Sequence, residues 1–159
     1  MIQIKRADLA DPKQAEAIVE LLNEYANHPM GGSEALTEFT CNNLISSLKL
    51  RKECAIFLAY DGDNAIGLCN CFEAFSTFAC KPLLNIHDLF VVEAYRKQGI
   101  ARQMMQQAEQ LAKDNGCCKL TLEVLSKNEA AQKSYLASGY KPYQLGDEFG
   151  SAEFWQKYL

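Results

Sequence analysis

A change of hydrophobic period within residues 84–105, LNIHDLFVVEAYRKQGIARQMM, constrains this chain more than any other feature. Leu84, Ile86, Leu89, Phe90, Val91 and Val92 form an apolar run with the length and composition of a buried strand. Beyond Gly99 the apolar positions are Ile100, Met104, Met105, Ala108, Leu111 and Ala112, which is helical spacing. The segment therefore reads as strand, tight turn, helix. The turn carries Arg96, Lys97 and Gln98, followed by Gly99 and Ala101.

Such a turn can hold an anion. The first turn of a helix leaves backbone N–H groups without intrahelical partners and carries the positive end of the helix dipole. A phosphate can bind there with no metal. Gly99 and Ala101 are small enough for a ligand to approach the backbone, and Arg96, Lys97 and Arg102 add positive charge. The same residues also suit a plain strand–helix connection. The spacing of a P-loop is absent, and so is the three-glycine pattern of a dinucleotide fold.

Arg96-x-x-Gly99-x-Ala101 after an apolar strand resembles the acyl-CoA motif of the GNAT acyltransferase superfamily, Arg/Gln-x-x-Gly-x-Gly/Ala. A second stretch, residues 120–140 (LTLEVLSKNEAAQKSYLASGY), is similar to that family's next motif, with Asn128, Tyr135, Gly139 and Tyr140 at the expected relative positions. The two motifs stand in the family's order and, with flanking elements, the likeness covers nearly the whole chain.

Length and composition agree with one domain, residues 1–159. A chain that is 48% hydrophobic and 23% charged can bury a core. A net charge of −4 without a basic run argues against nucleic acid as a partner. No stretch reaches the length of a membrane span, and the opening MIQIKRADL does not resemble a secretory signal. The seven cysteines mostly lie in apolar runs, with Cys69 and Cys71 on one face of a strand. They lack paired zinc-site spacing and read as reduced, buried small hydrophobes, which fits a cytoplasmic location. No single cysteine stands out as a catalytic thiol.

Along the chain, Ile2 and Ile4 mark a short first strand. Asp11 with Pro12 opens a helix that runs to about His28. HPMGG breaks it, and Ser33 can cap a second helix carrying Leu36, Phe39, Leu44, Ile45 and Leu48. Strands are expected over 54–60, 65–75 and 83–92, with a hairpin turn at 61–64 and a loop at 76–82. A helix from Gly99 ends at Asn115-Gly116. A strand over 117–125 and a short helix over 128–138 follow, and 140–145 with 152–158 read as a final hairpin.

The resemblance implies an α/β (α+β) GNAT fold: a mixed, mostly antiparallel sheet, splayed open after the central strand and flanked by helices. It implies acetyl-CoA as co-substrate, with no metal, entering the split. Backbone groups of Leu89, Phe90 and Val91 would hold the pantetheine arm. The turn formed by Arg96, Lys97, Gln98, Gly99, Ile100, Ala101 and Arg102 would hold the pyrophosphate, and Asn128 would contact CoA. Asn128 also reads as a helix N-cap, and both roles can hold at once.

Acyl transfer from a thioester to an amine needs a neutral amine, a stabilised oxyanion and a proton for the departing thiolate. Tyr135 matches the family's general-acid position. A phenol with pKa near ~10 keeps its proton at neutral pH and suits a thiol leaving group near ~8.5. Without that match Tyr135 reads as packing between helix and sheet. The base stays open between His87, Asp88, Glu73 and a water relay. Imidazole, near ~6.5, suits the role. His87 and Asp88 are neighbours on a strand, so only one can face the cleft unless a bulge intervenes. The oxyanion donor is expected to be a backbone N–H near Leu89 or Phe90.

The acceptor site is expected from residues 25–32, the loop 75–84 and the final hairpin, with Phe75, Phe78 and Phe149 at its mouth. Glu24, Glu73 and Asp88 could attract a cationic amine. The expected function is an acetyl-CoA-dependent N-acetyltransferase acting on a small-molecule or peptide amine, possible as a homodimer. The alternative is a non-catalytic module of the same fold that binds or senses acyl-CoA. A hydrolase would need a nucleophile elbow or metal cluster, and neither motif is present.

Overall fold

The computed structural model describes all 159 residues. They divide into two compact units, residues 1–122 and 123–159.

The first unit is built on a five-stranded sheet. Its strands are β1 (Ile2–Arg6), β2 (Cys54–Asp61), β3 (Asn64–Ser76), β4 (Lys81–Val91) and β5 (Leu120–Leu122), side by side in that order. The first three pairings are antiparallel and β4–β5 is parallel, so the sheet is mixed and mostly antiparallel. Three helices belong to this unit: α1 (Pro12–Asn27), α2 (Glu38–Lys49) and α3 (Ile100–Asp114).

Local chemistry sets most of these boundaries. Asp11 caps α1, its carboxylate accepting from the Lys13 amide at 2.9 Å, with Pro12 at the first helical position. Gly99 enters α3 with φ +78°, and Gly116 leaves it with φ +69°. On α3, Ile100, Met104, Met105, Ala108 and Ala112 are buried, as the spacing predicts. On the other helices, Ile18 and Leu21 of α1 and Leu48 of α2 join Ile56, Leu58, Leu68 and Phe90 in one core cluster. Cys69 and Cys71 do share a face, with their sulfurs 3.7 Å apart.

Three expectations differ from the structure. Ser33 does not cap α2; it sits at φ +59°, and Thr37 is the cap, accepting from the Thr40 amide at 3.1 Å. The Asn23 side chain on α1 accepts from the Leu36 amide at 2.9 Å, holding this stretch to α1 before the helix can start. The strand expected over 117–125 is only Leu120–Leu122, paired with Leu84–Ile86. The final hairpin is reduced to one bridge, Gln144 with Ser151. Leu145, Phe154 and Trp155 are 76%, 75% and 83% exposed, so little apolar burial supports that pairing, and a bare two-stranded hairpin is marginal.

In the second unit, α4 (Glu129–Ala137) is capped by Asn128, whose side chain accepts from the Ala131 amide at 3.2 Å. Gly139 ends it with φ +88°. The Tyr140 amide donates to the Tyr135 carbonyl at 3.0 Å, and the two rings lie 6.0 Å apart.

Candidate functional site

Two features of β4 build a site in the first unit. The first lies at the strand's end. Pairing with β5 stops at Ile86, so from His87 onward β4 has a strand neighbour only on the β3 side. The chain then turns through Lys97 at φ +62° and Gly99 at φ +78° into α3. None of the six backbone N–H groups from Lys97 to Arg102 donates to a protein acceptor. The first intrahelical donor is Gln103, to the Gly99 carbonyl at 3.0 Å. Nothing lies within 4 Å of where a Cβ on Gly99 would be. Six free donors at the positive end of a fifteen-residue helix, under open space, suit a phosphate or pyrophosphate.

Arg96 takes a different position from the rest of the turn. Its Nε donates to the Val91 carbonyl at 2.9 Å, and its Nη1 lies 3.1 Å from Nε2 of His28. The guanidinium also sits 5.6 Å from the centre of the Phe90 ring, which stacks on Tyr25 at 5.5 Å. The side chain thus braces the end of β4 against the loop after α1.

The second feature is a bulge. Asn70 pairs with Asp88 and Cys71 with Ile86, which leaves His87 without a partner. Both His87 and Asp88 therefore line one cleft of about 380 Å³, which an unbroken strand would not allow. The opposite wall comes from α1, α2 and the loop between them, including Tyr25, Ala26 and Gly31. Gly31 is required there: a Cβ would lie 1.9 Å from the Tyr25 carbonyl oxygen. The His87 ring meets Phe72 edge-on at 5.6 Å. Burial raises the Tyr25 phenol above its ordinary pKa, and the Asp88 carboxylate adds to the effect.

The structure does not bring every expected residue here. Glu73 lines a separate cleft and accepts from the Asn115 side chain at 3.0 Å. Phe75 and Phe78 are 60% and 100% exposed and outside this cleft. Asn128 and Tyr135 belong to the second unit, seven residues apart on α4 and its cap. Sequence reasoning missed Asn70, which lines the cleft and hydrogen-bonds Asp88. Its one signal was an amide inside the apolar run IGLCNCF.

No group of three or more His, Cys, Asp or Glu could hold a metal ion, and no helix is long and apolar enough to cross a membrane.

The profile of the Acetyltransferase (GNAT) family matches residues 15–140. Among named relatives, the uncharacterized N-acetyltransferase YhfO of Bacillus subtilis is 28% identical over 145 residues, covering 88% of this chain and 90% of the relative. The thialysine N-epsilon-acetyltransferase of Caenorhabditis elegans is 27% identical, covering 78% of this chain and 75% of its own. Among solved structures, a probable acetyltransferase superposes with a TM-score of 0.81 at 24% identity, covering 99% of each chain. AAC(6')-Iy in complex with a bisubstrate analogue, CoA-S-monomethyl-acetylneamine, superposes at 0.77 with 16% identity, covering 100% of this chain and 99% of that one.

Proposed function

The chain belongs to the GNAT acetyltransferase family, and from that premise we propose that it moves an acetyl group from acetyl-CoA directly to an amine acceptor. The observation that carries this reading is the run of six unpartnered amides from Lys97 to Arg102 beside the open edge of β4. Those amides would hold the pyrophosphate. Backbone groups of Leu89, Phe90 and Val91 would hold the pantetheine, and Asn128 would contact CoA from its cap position. The contribution of Arg96 is to brace the turn, because its Nε is already committed to Val91.

The thioester supplies the acetyl group and a thiol leaving group. The protein's part is to orient the amine, accept its proton and return one to the thiolate. Tyr135 is the proposed acid, since a phenol keeps its proton at neutral pH. His87 is the proposed base: the bulge turns it to the cleft beside Asp88. One relative is named for thialysine and one structural neighbour holds a neamine-based bisubstrate analogue, which supports an amine as the acceptor here. The proposal extends to one working domain over residues 1–159, a cytoplasmic location and a homodimer.

Titration calorimetry with acetyl-CoA tests the reading. The parent should bind, while Gly99→Glu should not, because it sets a strained side chain and a negative charge among the free amides. Arg102→Glu, which reverses charge without backbone strain, should weaken binding in a protein with unchanged thermal stability. A parent that fails to bind acetyl-CoA would sink the proposal. Binding with no CoA release across an amine panel would point instead to a non-catalytic module.

A further inference from the structure

The cleft beside the bulge has chemistry that the acetyl-transfer reading does not use. Asp88 is half-buried, and no cation pairs with it. One of its oxygens, Oδ2, accepts from Asn70 Nδ2 at 2.9 Å. A carboxylate only accepts, so this contact sets which end of the Asn70 amide is nitrogen. The other end, Oδ1, is buried and has no partner, and Asn70 itself is 4% exposed. An orphaned carbonyl in such a place is costly unless a donor reaches it.

Apart from the Tyr25 phenol and the His87 imidazole, the remaining walls are mainly hydrocarbon. Leu22, Leu36, Leu44, Leu48 and Phe72 line the cleft, and no lysine or arginine does. Its volume, about 380 Å³, falls near the lower end of the roughly 300–1,000 Å³ typical of ligand pockets. A single carboxylate can neutralise one ammonium but not several. An amino acid's carboxylate would find no lysine or arginine there, and a sugar's hydroxyls would lose water against leucine.

Resting on the acetyl-transfer reading for its role as acceptor site, we infer that this cleft takes a small primary monoamine with a hydrocarbon body, its nitrogen read by Asp88 and the free carbonyl of Asn70. An alkylammonium has three N–H donors, enough for both oxygens. A neutral amine has two, so it can keep both contacts while its lone pair faces away from them. Asn70 thus acts as a specificity residue, and it also positions the Asp88 carboxylate.

The test uses the full chain without acetyl-CoA, titrated with n-hexylamine, spermidine and lysine and followed by NMR. Hexylamine should bind at least about tenfold more tightly than the other two, with shifts at the amides of Asn70, His87 and Asp88. Asp88→Asn, which keeps the shape and removes the charge, should weaken hexylamine about tenfold or more. Equal or tighter binding of spermidine or lysine, no saturation by hexylamine, or an unchanged affinity in Asp88→Asn would each overturn the inference. Acetyl-CoA calorimetry on the same sample separates the two readings. Hexylamine binding without acetyl-CoA binding would defeat the transferase alone. Acetyl-CoA binding without the amine preference would defeat only the substrate class.

Discussion

Arg96 and His28 meet at 3.1 Å although 68 residues separate them. His28 stands at the end of α1, and its Nδ1 lies 3.2 Å from the Met30 amide nitrogen. A neutral imidazole has one acceptor nitrogen, so the tautomer decides which of the two contacts is a hydrogen bond. Through this pair the turn before α3 touches the loop that walls the cleft beside the bulge.

Replacing Arg96 with alanine should therefore cost stability as well as ligand binding. It removes a charged donor from the Val91 carbonyl and a cation from the Phe90 face. The expected loss is about 1.5–3 kcal/mol, read from urea denaturation. Arg96→Lys should not restore it, because an ammonium cannot reproduce the guanidinium fork. Full recovery by lysine would mean that the charge alone matters.

Gly31→Ala should deform the loop. The new Cβ would overlap the Tyr25 carbonyl, which is backbone and cannot swing aside. About 1–3 kcal/mol is expected, the range for atoms forced into filled space. Met30→Ala, at a 39% exposed neighbour, is the control and should stay near the parent in the same denaturation series.

For Tyr135→Phe, the proposed role as acid predicts a fall in kcat of about 10²–10⁴-fold with the acetyl-CoA affinity almost unchanged. Stopped-flow or coupled assays of CoA release measure the first and calorimetry the second. Equal turnover in mutant and parent would take Tyr135 out of the mechanism.

Thiol labelling should follow burial. Cys80 and Cys118 are exposed, whereas Cys69 and Cys71 are buried. Burial, aided by Cys71 and Glu53, pushes the Cys54 thiol up to about 11. At pH 8 roughly one Cys54 in a thousand is then thiolate, against about one in four for an ordinary thiol near ~8.5. A thiol-specific reagent at pH 8 should modify Cys80 and Cys118 first. Cys54 should gain reactivity only as the pH approaches 11. Mass spectrometry of time points distinguishes these sites, and early labelling of Cys54 would contradict its burial.

Much of this protein was legible because its signals are local. Asp11-Pro12 begins α1, the spacing from Ile100 to Ala112 makes α3, and Gly116 ends it, each through forces acting within a turn or two of chain. The order of elements followed from the same marks, whereas the mixed sheet was what the family resemblance implied. Where a distant group intervened, local reading failed. Ser33 has the chemistry of a cap, yet the Asn23 side chain holds the Leu36 amide and Thr37 caps instead. Burial was equally invisible locally: 140–145 and 152–158 are expected to pair, yet with Leu145, Phe154 and Trp155 exposed only the Gln144–Ser151 bridge forms.

By itself, then, the sequence determined the strand–turn–helix that presents six free amides, because φ, capping and helix spacing are properties of neighbours along the chain. Only the tertiary structure decided the bulge at His87, the meeting of Asn70 with Asp88, and the use of Arg96 as a brace. Those depend on the register between β3 and β4 and on where α1 lies against them, and a register is a property of two segments together. A slip of one residue would have sent Asp88 to the other face of the sheet.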